Sequence, residues 1–321
     1  MNTTEKNAPK VAYVTISDDH AEQRLDNFLL SKLKGVPKSH IYRIVRKGEV
    51  RVNKGRIDVS YRLKLGDVVR IPPIRVAESI PANFIPNNLR EALEKGILFE
   101  DDGFLVLNKP AGFAVHGGTG IDSGIIEGLR VLRPQTKFLE LVHRLDRDTS
   151  GCLIIAKKRS ILNLLHDMFR GDSIIQKTYI ALLTGQWLKK SLVVNAPLLK
   201  KSGKNGERMV SVHPSGKEAE TVFTRLQLYK EATLVEALLK TGRTHQIRVH
   251  AAHIGHPIVA DERYGQDEVN KVFQRKGYKR QFLHAAQLNF VHPVTGEPLS
   301  INAPLPKALA TLLTHEHEIR G

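Results

Sequence analysis

Residues 141–158 read LVHRLDRDTSGCLIIAKK. Two apolar runs, LELVHRL from Leu139 and GCLIIAKK from Gly151, flank the polar HRLDRDTSG. The flanks are strand-like, so the polar residues fall on a connection between strands rather than in a core. Working outward, further strand-like runs are ILFEDDGFLVLNKP (97–110), KTYIALLTGQW (177–187), TVFTRLQLY (221–229), ATLVEALLKTG (232–242) and QFLHAAQLNFVHP (281–293). Between them lie three helix-like segments: SGIIEGLRVLRP (123–134), SILNLLHDMFRG (160–171) and THQIRVHAAHIG (244–255). Strands outnumber helices and follow one another mostly in hairpin order. This predicts an α+β unit over 97–321 with a mixed, largely antiparallel sheet, not a doubly wound one.

Upstream, Pro72, Pro73, Pro81 and Pro86 interrupt a stretch of little periodicity, so 76–96 reads as a linker. Before it, residues 22–75 hold 14 Lys/Arg and 5 Asp/Glu, an excess of +9 out of +16 for the whole chain. This stretch reads as a small α+β module. AEQRLDNFLLSKLKG is helix-like through Leu25, Phe28 and Leu29, with Gly35 as a stop. VPKSHIYRIVRKG is a second helix, with Pro37 near its start and Gly48 past its end. Ile41, Ile44 and Val45 make its apolar stripe, and Arg43, Arg46 and Lys47 share an exposed face. VRVNKGR reads as a hairpin turning at Asn53, Lys54 and Gly55, with Arg56 returning, and LKLGDVVRIPP as an alternating strand. Residues 1–21 form a tail with a first strand. There is no internal repeat and no low-complexity tract.

The chain has 321 residues, 41% hydrophobic and 26% charged, with 24 Gly and 15 Pro, a composition that excludes collagen-like and largely disordered classes. A net charge of +16 favours a polyanionic partner, nucleic acid ahead of an acidic membrane. One cysteine, Cys152, excludes an internal disulfide and cysteine-based zinc or iron–sulfur sites. MNTTEKNAPK lacks the apolar core of a secretory leader, and no run approaches the ~18 apolar residues of a membrane span, so a cytoplasmic setting is expected.

In the decisive stretch, Asp146 lies between Arg144 and Arg147. Neighbouring cations favour the charged form of a carboxylate, which can then act as nucleophile or general base at a sugar or heterocycle. The alternative is a structural ion pair. His143, Asp146 and Ser150 do not make a serine hydrolase, because no G-x-S-x-G elbow is present. His245, His250, His253 and His256 crowd into twelve residues, but no cysteine accompanies them and Gly255 and Pro257 break the helix, so contact or packing roles outrank a metal site. Cys152 leads into LIIA and reads as a buried thiol. The glycine loop AVHGGTG reads as a mobile loop beside the site. In the module, Arg43, Arg46, Lys47, Arg51, Lys54 and Arg56 suit phosphate contacts on RNA.

These motifs carry two resemblances. EQRLDNFL, SHIYRIVRKGEVRVNKGR and LKLGDVVRI, over residues 22 to 72, are similar to the S-four-type RNA-binding domain of ribosomal proteins and RNA-modifying enzymes. HRLDRDTSG resembles the signature of the pseudouridine synthases acting on large-subunit ribosomal RNA. NKPAGFAVHGG (108–118), QKTYIALLTG (176–185), TGRTHQIRVHAAHIGHPIVAD (241–261), FLHA (282–285) and HPVTGE (292–297) follow the family's order. The VHGG wording and HRLDRDTSG separate the chain from a sibling branch that reads VHPG and HRLDKDT.

The resemblance implies isomerisation of several uridines to pseudouridine in that RNA, with no cofactor and no metal. Asp146 matches the essential aspartate, Tyr179 a tyrosine that packs on the uracil and assists proton removal, and Arg248 the arginine that pairs with the aspartate. Leu283 matches the apolar residue under the base, and Arg144 the arginine that fills the gap of an extruded nucleotide. His116, Arg243 and His245 fall at the substrate. Extrusion follows from physics too, because the anomeric carbon is hidden in a stacked base. The implied partner is large-subunit ribosomal RNA, free or in an assembling particle, with no membrane, no obligatory protein partner and a monomeric enzyme. The rivals are a sibling enzyme on another ribosomal RNA hairpin, a non-catalytic assembly factor and a uracil-releasing RNA glycosylase. A methyltransferase is disfavoured by the absence of a glycine-rich nucleotide loop after a strand.

Overall fold

The computed structural model describes residues 11–33, 36, 38–74, 85–117, 124–170, 175–202 and 208–316. Gly35, Pro37, the chain before residue 11, the linker from 75 to 84, Gly171 and the far side of the glycine loop (118–123) lie outside the described residues. The chain divides into two units, Met1–Phe84 and Ile85–Gly321.

The first unit contains β1 (Ala12–Thr15), a 3-10 turn (Asp18–His20), α1 (Leu25–Lys32), α2 (Lys38–Arg46), β2 (Arg51–Val52) and β3 (Val68–Ile71). The strands form one antiparallel sheet in the order β1-β3-β2. Leu25, Phe28 and Leu29 of α1 and Ile41, Ile44 and Val45 of α2 bury their stripes against Val52, Val69 and Ile71. Asn53 and Lys54 take left-handed backbones (φ 50° and 67°) and reverse the chain, with Val52 and Gly55 exchanging both backbone hydrogen bonds. The expected hairpin stops there. Arg56 does not return as a strand, because the Val59 and Tyr61 carbonyls instead accept the N–H groups of Asp26 and Leu25 at the start of α1. The ladder partner of β2 is β3.

The second unit runs through α3 (Asn87–Lys95), β4 (Ile97–Glu100), β5 (Phe104–Lys109), α4 (Ile125–Leu132), β6 (Glu140–Leu141), β7 (Ser150–Ala156), α5 (Arg159–Arg170) and β8 (Gln176–Thr184). It continues with β9 (Ser191–Asn195), β10 (Leu198–Ser202), β11 (Arg208–Val212), β12 (Glu220–Leu228) and β13 (Ala232–Leu239). It ends with α6 (Gln246–His253), α7 (Asp267–Arg275), β14 (Leu283–Val291), β15 (Pro298–Asn302) and α8 (Lys307–Thr314). Ten strands form one sheet in the order β4-β5-β7-β14-β8-β13-β12-β9, with β6 on β7 and β15 on β14. Only the β7–β14 pairing in this sheet is parallel among the described residues. The fold is therefore mixed α and β around a mostly antiparallel sheet.

Both faces of the sheet's centre are covered, which is why β5 and β7 read as unbroken apolar runs. Phe104, Val106, Cys152 and Ile154 face α5, while Leu105, Leu107, Leu153 and Ile155 face α3 and α4. The linker expectation is corrected here. Leu89 and Leu93, four residues apart, bury one face of α3 in that second cluster, so the core of the second unit begins at Ile85. The strand expected from Leu139 shrinks to Glu140–Leu141. His143 ends it by accepting the Ile154 N–H with its own Nε2 (3.1 Å), in place of a ladder carbonyl. Strands β9 to β11 and β15 and helices α7 and α8 are additions to the sequence reading. The β10–β11 ribbon packs Leu198 and Val210 against Val249 of α6.

Candidate active site

The HRLDRDTSG connection is held in shape by groups beneath it. Lys109, fully buried at the end of β5, donates from Nζ to three carbonyls: Pro110 (2.8 Å), Arg147 (3.0 Å) and Thr149 (2.8 Å). Burial pushes its ammonium down to about 7, opposed by the charges of Asp148 and Asp146. Arg280 donates to the Asp148 carbonyl (3.0 Å) and the Ser150 hydroxyl (3.1 Å), and Gln281 Nε2 to Thr149 Oγ1 (2.8 Å). Gly151 closes the connection at φ 110°. A Cβ there would lie 2.1 Å from the Ala285 carbonyl oxygen on the parallel strand β14, so only glycine fits.

A second connection, from β13 into α6, is fixed by the buried amide of Gln246. Its Oε1 accepts from Thr241 Oγ1 (2.7 Å) and the Arg243 N–H (2.9 Å), and its Nε2 donates to the Glu220 carbonyl and Thr221 Oγ1 (both 2.9 Å). His245 caps α6 in a left-handed backbone, φ 54°, a strained conformation for a side chain with a Cβ. Tyr264 Oη lies 2.7 Å from His245 Nδ1 and accepts the Val210 N–H (3.2 Å). His245 Nε2 then faces Asp146 Oδ1 at 3.6 Å. Burial holds His245 below the ordinary histidine range, against the pull of Asp146.

Arg248 joins the two connections. Its Nε and Nη2 form a two-pronged clamp on Asp261 (2.7 and 2.8 Å), and its Nη1 donates to Asp146 Oδ2 at 2.8 Å. The guanidinium also lies over the Tyr264 ring, 5.1 Å from its centre. Burial works against its charge, and the two carboxylates overcome it, so its pKa is raised above the usual arginine value. Burial likewise works against charge on Asp261, yet Arg248 and the Arg263 and Tyr264 N–H groups bring it below the ordinary carboxylate range. Two of the three acceptor oxygens of Arg248 thus belong to the buried Asp261, and the third is Oδ2 of Asp146, a residue that lines a cavity.

That cavity is about 250 Å³. Asp146, Arg248, Tyr179, Leu283, Arg144, Arg243 and His245 all line it, so seven of the eight catalytic and substrate residues expected from sequence converge there. His116 does not; it is exposed, with its Nδ1 3.0 Å from the Gly117 carbonyl. Nearby, the Glu127 carboxylate accepts the Gly117 and Gly124 N–H groups (2.9 Å each). Tyr179 sits on β8 opposite Ala285 of β14. Burial, then the Asp146 charge, raises its pKa, so it is a neutral phenol. The Arg144 guanidinium is exposed at the cavity and has no hydrogen bond or ion pair among the described residues.

Sequence reasoning missed four contributors. Asp261 and Tyr264 act only through tertiary contacts with Arg248 and His245, so no spacing betrays them. His143 stacks on Phe169 (5.1 Å between centres), and burial, then Lys177, pushes it down to about 4. Lys177 lies over the other flank of the wall, 5.3 Å from the Phe169 ring centre, with its pKa lowered by burial. Their one sequence signal is position, inside two quoted motifs.

No group of three or more His, Cys, Asp or Glu able to hold a metal occurs among the described residues. His250 has both ring nitrogens engaged, on Thr221 Oγ1 and the Ala196 carbonyl (2.9 Å each). Burial pushes the Cys152 thiol up to about 12, so it is no thiolate nucleophile. Among the described residues no helix is long and apolar enough to cross a membrane. In the first unit, Arg43, Arg46, Lys47, Arg51, Lys54 and Arg56 are all exposed.

Comparisons with known proteins agree with this geometry. The family model described as RNA pseudouridylate synthase matches residues 103–253, and the S4 domain model matches 23–69. The chain is 58% identical over 304 residues to the ribosomal large subunit pseudouridine synthase C of Yersinia pestis, covering 94% of this chain and 95% of that one. It is 54% identical over 308 residues to the protein of the same name from Escherichia coli K12, covering 95% and 96%. Among solved structures, human RNA pseudouridylate synthase domain containing 1 superposes with a TM-score of 0.60 at 25% identity, over 74% of this chain and 92% of that chain.

Proposed function

The chain belongs to the RNA pseudouridylate synthase family and is an isomerase of ribosomal RNA, and from that premise we propose that Asp146 is its reacting carboxylate and large-subunit ribosomal RNA its substrate. In the reaction the bond between the anomeric carbon and uracil N1 breaks, the base turns, and a bond from that carbon to C5 forms. N1 gains a proton and C5 loses one, so the net composition is unchanged.

One observation carries the reading. Asp146 gives one oxygen to an Arg248 that is itself locked on Asp261, has His245 Nε2 3.6 Å from the other, and lines a cavity together with Tyr179 and Leu283. Such a carboxylate is held in place before substrate arrives, and reorganisation at the reacting atom is small. A cavity of this size takes a single base, so the uridine must leave its stack, at a cost of a few kcal/mol. Arg144, exposed and unengaged at the rim, offsets part of that cost by stacking in the vacated place. The neutral phenol of Tyr179 is a poor base, so its role is to pack on the uracil and orient it. Arg243 and His245 contact the substrate, and His116 contacts RNA from outside the cavity. Arg43, Arg46, Lys47, Arg51, Lys54 and Arg56 hold phosphates. The enzyme works as a monomer in the cytoplasm, on several uridines.

Tritium release from ribosomal RNA labelled at uracil C5 tests this. Wild type should release label, and Asp146→Asn should bind the RNA with unchanged affinity and release none. Turnover by Asp146→Asn sinks the assignment of the carboxylate. Tight binding without release by wild type would favour the assembly-factor reading, and abasic RNA among the products the glycosylase reading.

A further inference from the structure

The outer face of the first unit's sheet carries a row of side chains that extends the basic module. Register places Tyr13 of β1 opposite Arg70 of β3, and Arg70 opposite Arg51 of β2, so one row across three strands reads Tyr-Arg-Arg. Alternation along each strand sends Val52, Val69 and Ile71 inward to the core and this row outward. Tyr13 is 68% exposed, and no hydrogen bond or ring contact engages it among the described residues. An aromatic ring standing free in solvent beside two guanidinium groups is unusual for a merely soluble surface.

The charges of the two arginines are not neutralised locally. Arg70 Nη1 donates to the backbone carbonyl of Glu49 (2.6 Å). Arg51 Nε donates to the Gly48 carbonyl (3.2 Å) and its Nη1 to the Lys54 carbonyl (3.4 Å). Backbone carbonyls orient a guanidinium without cancelling its charge. Lys54 adds a third cation at the rim, and it holds a left-handed backbone that glycine would adopt more easily. These residues, with Gly48, Asn53, Val68 and one acid, Glu49, line a groove of about 1110 Å³.

We infer that this groove binds a single-stranded segment of RNA, with Tyr13 stacking on an unpaired base and Arg51, Arg70 and Lys54 on its phosphates. The inference rests on the RNA-modifying reading above and extends it. Tyr13 and Arg70 lie outside the 23–69 match to the S4 domain, and β1 supplies the ring. A duplex buries its base faces in its own stack, so a free aromatic face selects unpaired RNA.

The test uses the full chain and two labelled probes, a mixed-sequence single-stranded RNA and its duplex, titrated over a range of salt. Tyr13→Ala should weaken single-strand binding five- to tenfold with an unchanged salt slope, because stacking releases no counterions. It should leave duplex binding unaltered, and Tyr13→Trp should restore the affinity. Arg70→Gln should weaken binding and reduce the slope by about 0.7, one phosphate on a single strand. Single-strand binding by Tyr13→Ala equal to wild type overturns the platform. If Arg43→Gln/Arg46→Gln then loses affinity, the RNA-binding reading of the module stands without it. No RNA binding by wild type, on either probe, would remove both.

Discussion

The tripeptide Arg-Leu-Asp occurs in each unit, at Arg24–Asp26 and at Arg144–Asp146, with opposite fates. In the first, Arg24 folds back on its own Asp26 through two hydrogen bonds (3.1 and 3.0 Å). The Tyr42 hydroxyl and the Asn27 N–H complete the carboxylate (2.8 and 2.9 Å). Asp26 is buried and fully engaged, and it ties α1 to α2. In the second, Arg144 turns out to the cavity, and Asp146 takes its partner, Arg248, from 102 residues away. The same three residues thus make a structural knot when the near arginine closes on the aspartate, and the carboxylate proposed to react when a distant one replaces it. What distinguishes them is the clamp on that distant partner. Asp261 fixes Arg248 through its Nε and Nη2, so Arg248 offers Asp146 one bond, to Oδ2.

Removing that clamp's centre should have the largest effect on the molecule. Asp261 is fully buried and Arg248 only 11% exposed at its side chain. Arg248→Met would leave a buried carboxylate without its counter-charge, which costs roughly 3–5 kcal/mol. Urea unfolding at pH 7 should show that loss, and tritium release should fall to background. Arg248→Met/Asp261→Asn should recover much of the stability and none of the activity. A single Arg248→Met variant as stable as wild type would mean that the clamp is not what separates the two tripeptides.

Much of the candidate site was legible in sequence, and the limits have physical causes. Asp146, Arg248, Tyr179 and Leu283 each sit in a motif at a strand end or helix start, where connections carry function. Asp261 closes the quoted motif 241–261 and Tyr264 follows it, but neither shows its role there, which exists only through contacts with Arg248 and His245. Helix α3 was hidden by the four prolines that mark its approach, although Leu89 and Leu93 have helical spacing. Strands β9 and β10 were missed because Pro197 and a run of lysines break their alternation. The hairpin at Asn53 was half right: the turn chemistry holds, while the continuation depends on α1, which a local pattern cannot register.

A middle-sized effect is expected beneath the reactive tripeptide. Lys109 spans the connection with three carbonyl bonds. Lys109→Met should loosen the connection and lower kcat about 10- to 100-fold, the scale of a misplacement near 1 Å. The pH dependence supplies an independent sign. Folding lowers this lysine from about 10.4 in the unfolded chain to about 7. Its buried charge therefore weighs fully on stability below pH 7 and is relieved as pH rises toward 10. Wild type should gain stability over that window, and Lys109→Met should lack the gain. Parallel pH profiles for the two proteins would place the anchor elsewhere.

The smallest effect, and the sharpest contrast with Asp146→Asn, belongs to Asp26→Asn. The hydrogen bonds of Arg24 first, with Tyr42 and the Asn27 N–H, hold Asp26 below the ordinary carboxylate range against the cost of its burial. A carboxylate lowered by folding contributes stability above its unfolded value, near 3.9, and loses that contribution as pH falls through its folded value. Asp26→Asn keeps the shape and removes the charge, so it should cost about 1 kcal/mol at pH 6. The difference from wild type should close below pH 4, where Asp26 itself takes up a proton. Tritium release per molecule of folded enzyme should be unchanged, since this carboxylate faces only its own helices. Asp146→Asn should reverse the activity reading, with tritium release lost in a folded protein. Were Asp26→Asn to abolish turnover in a folded protein, the two tripeptides would not divide structure from chemistry, and the first unit would hold a group the reaction needs.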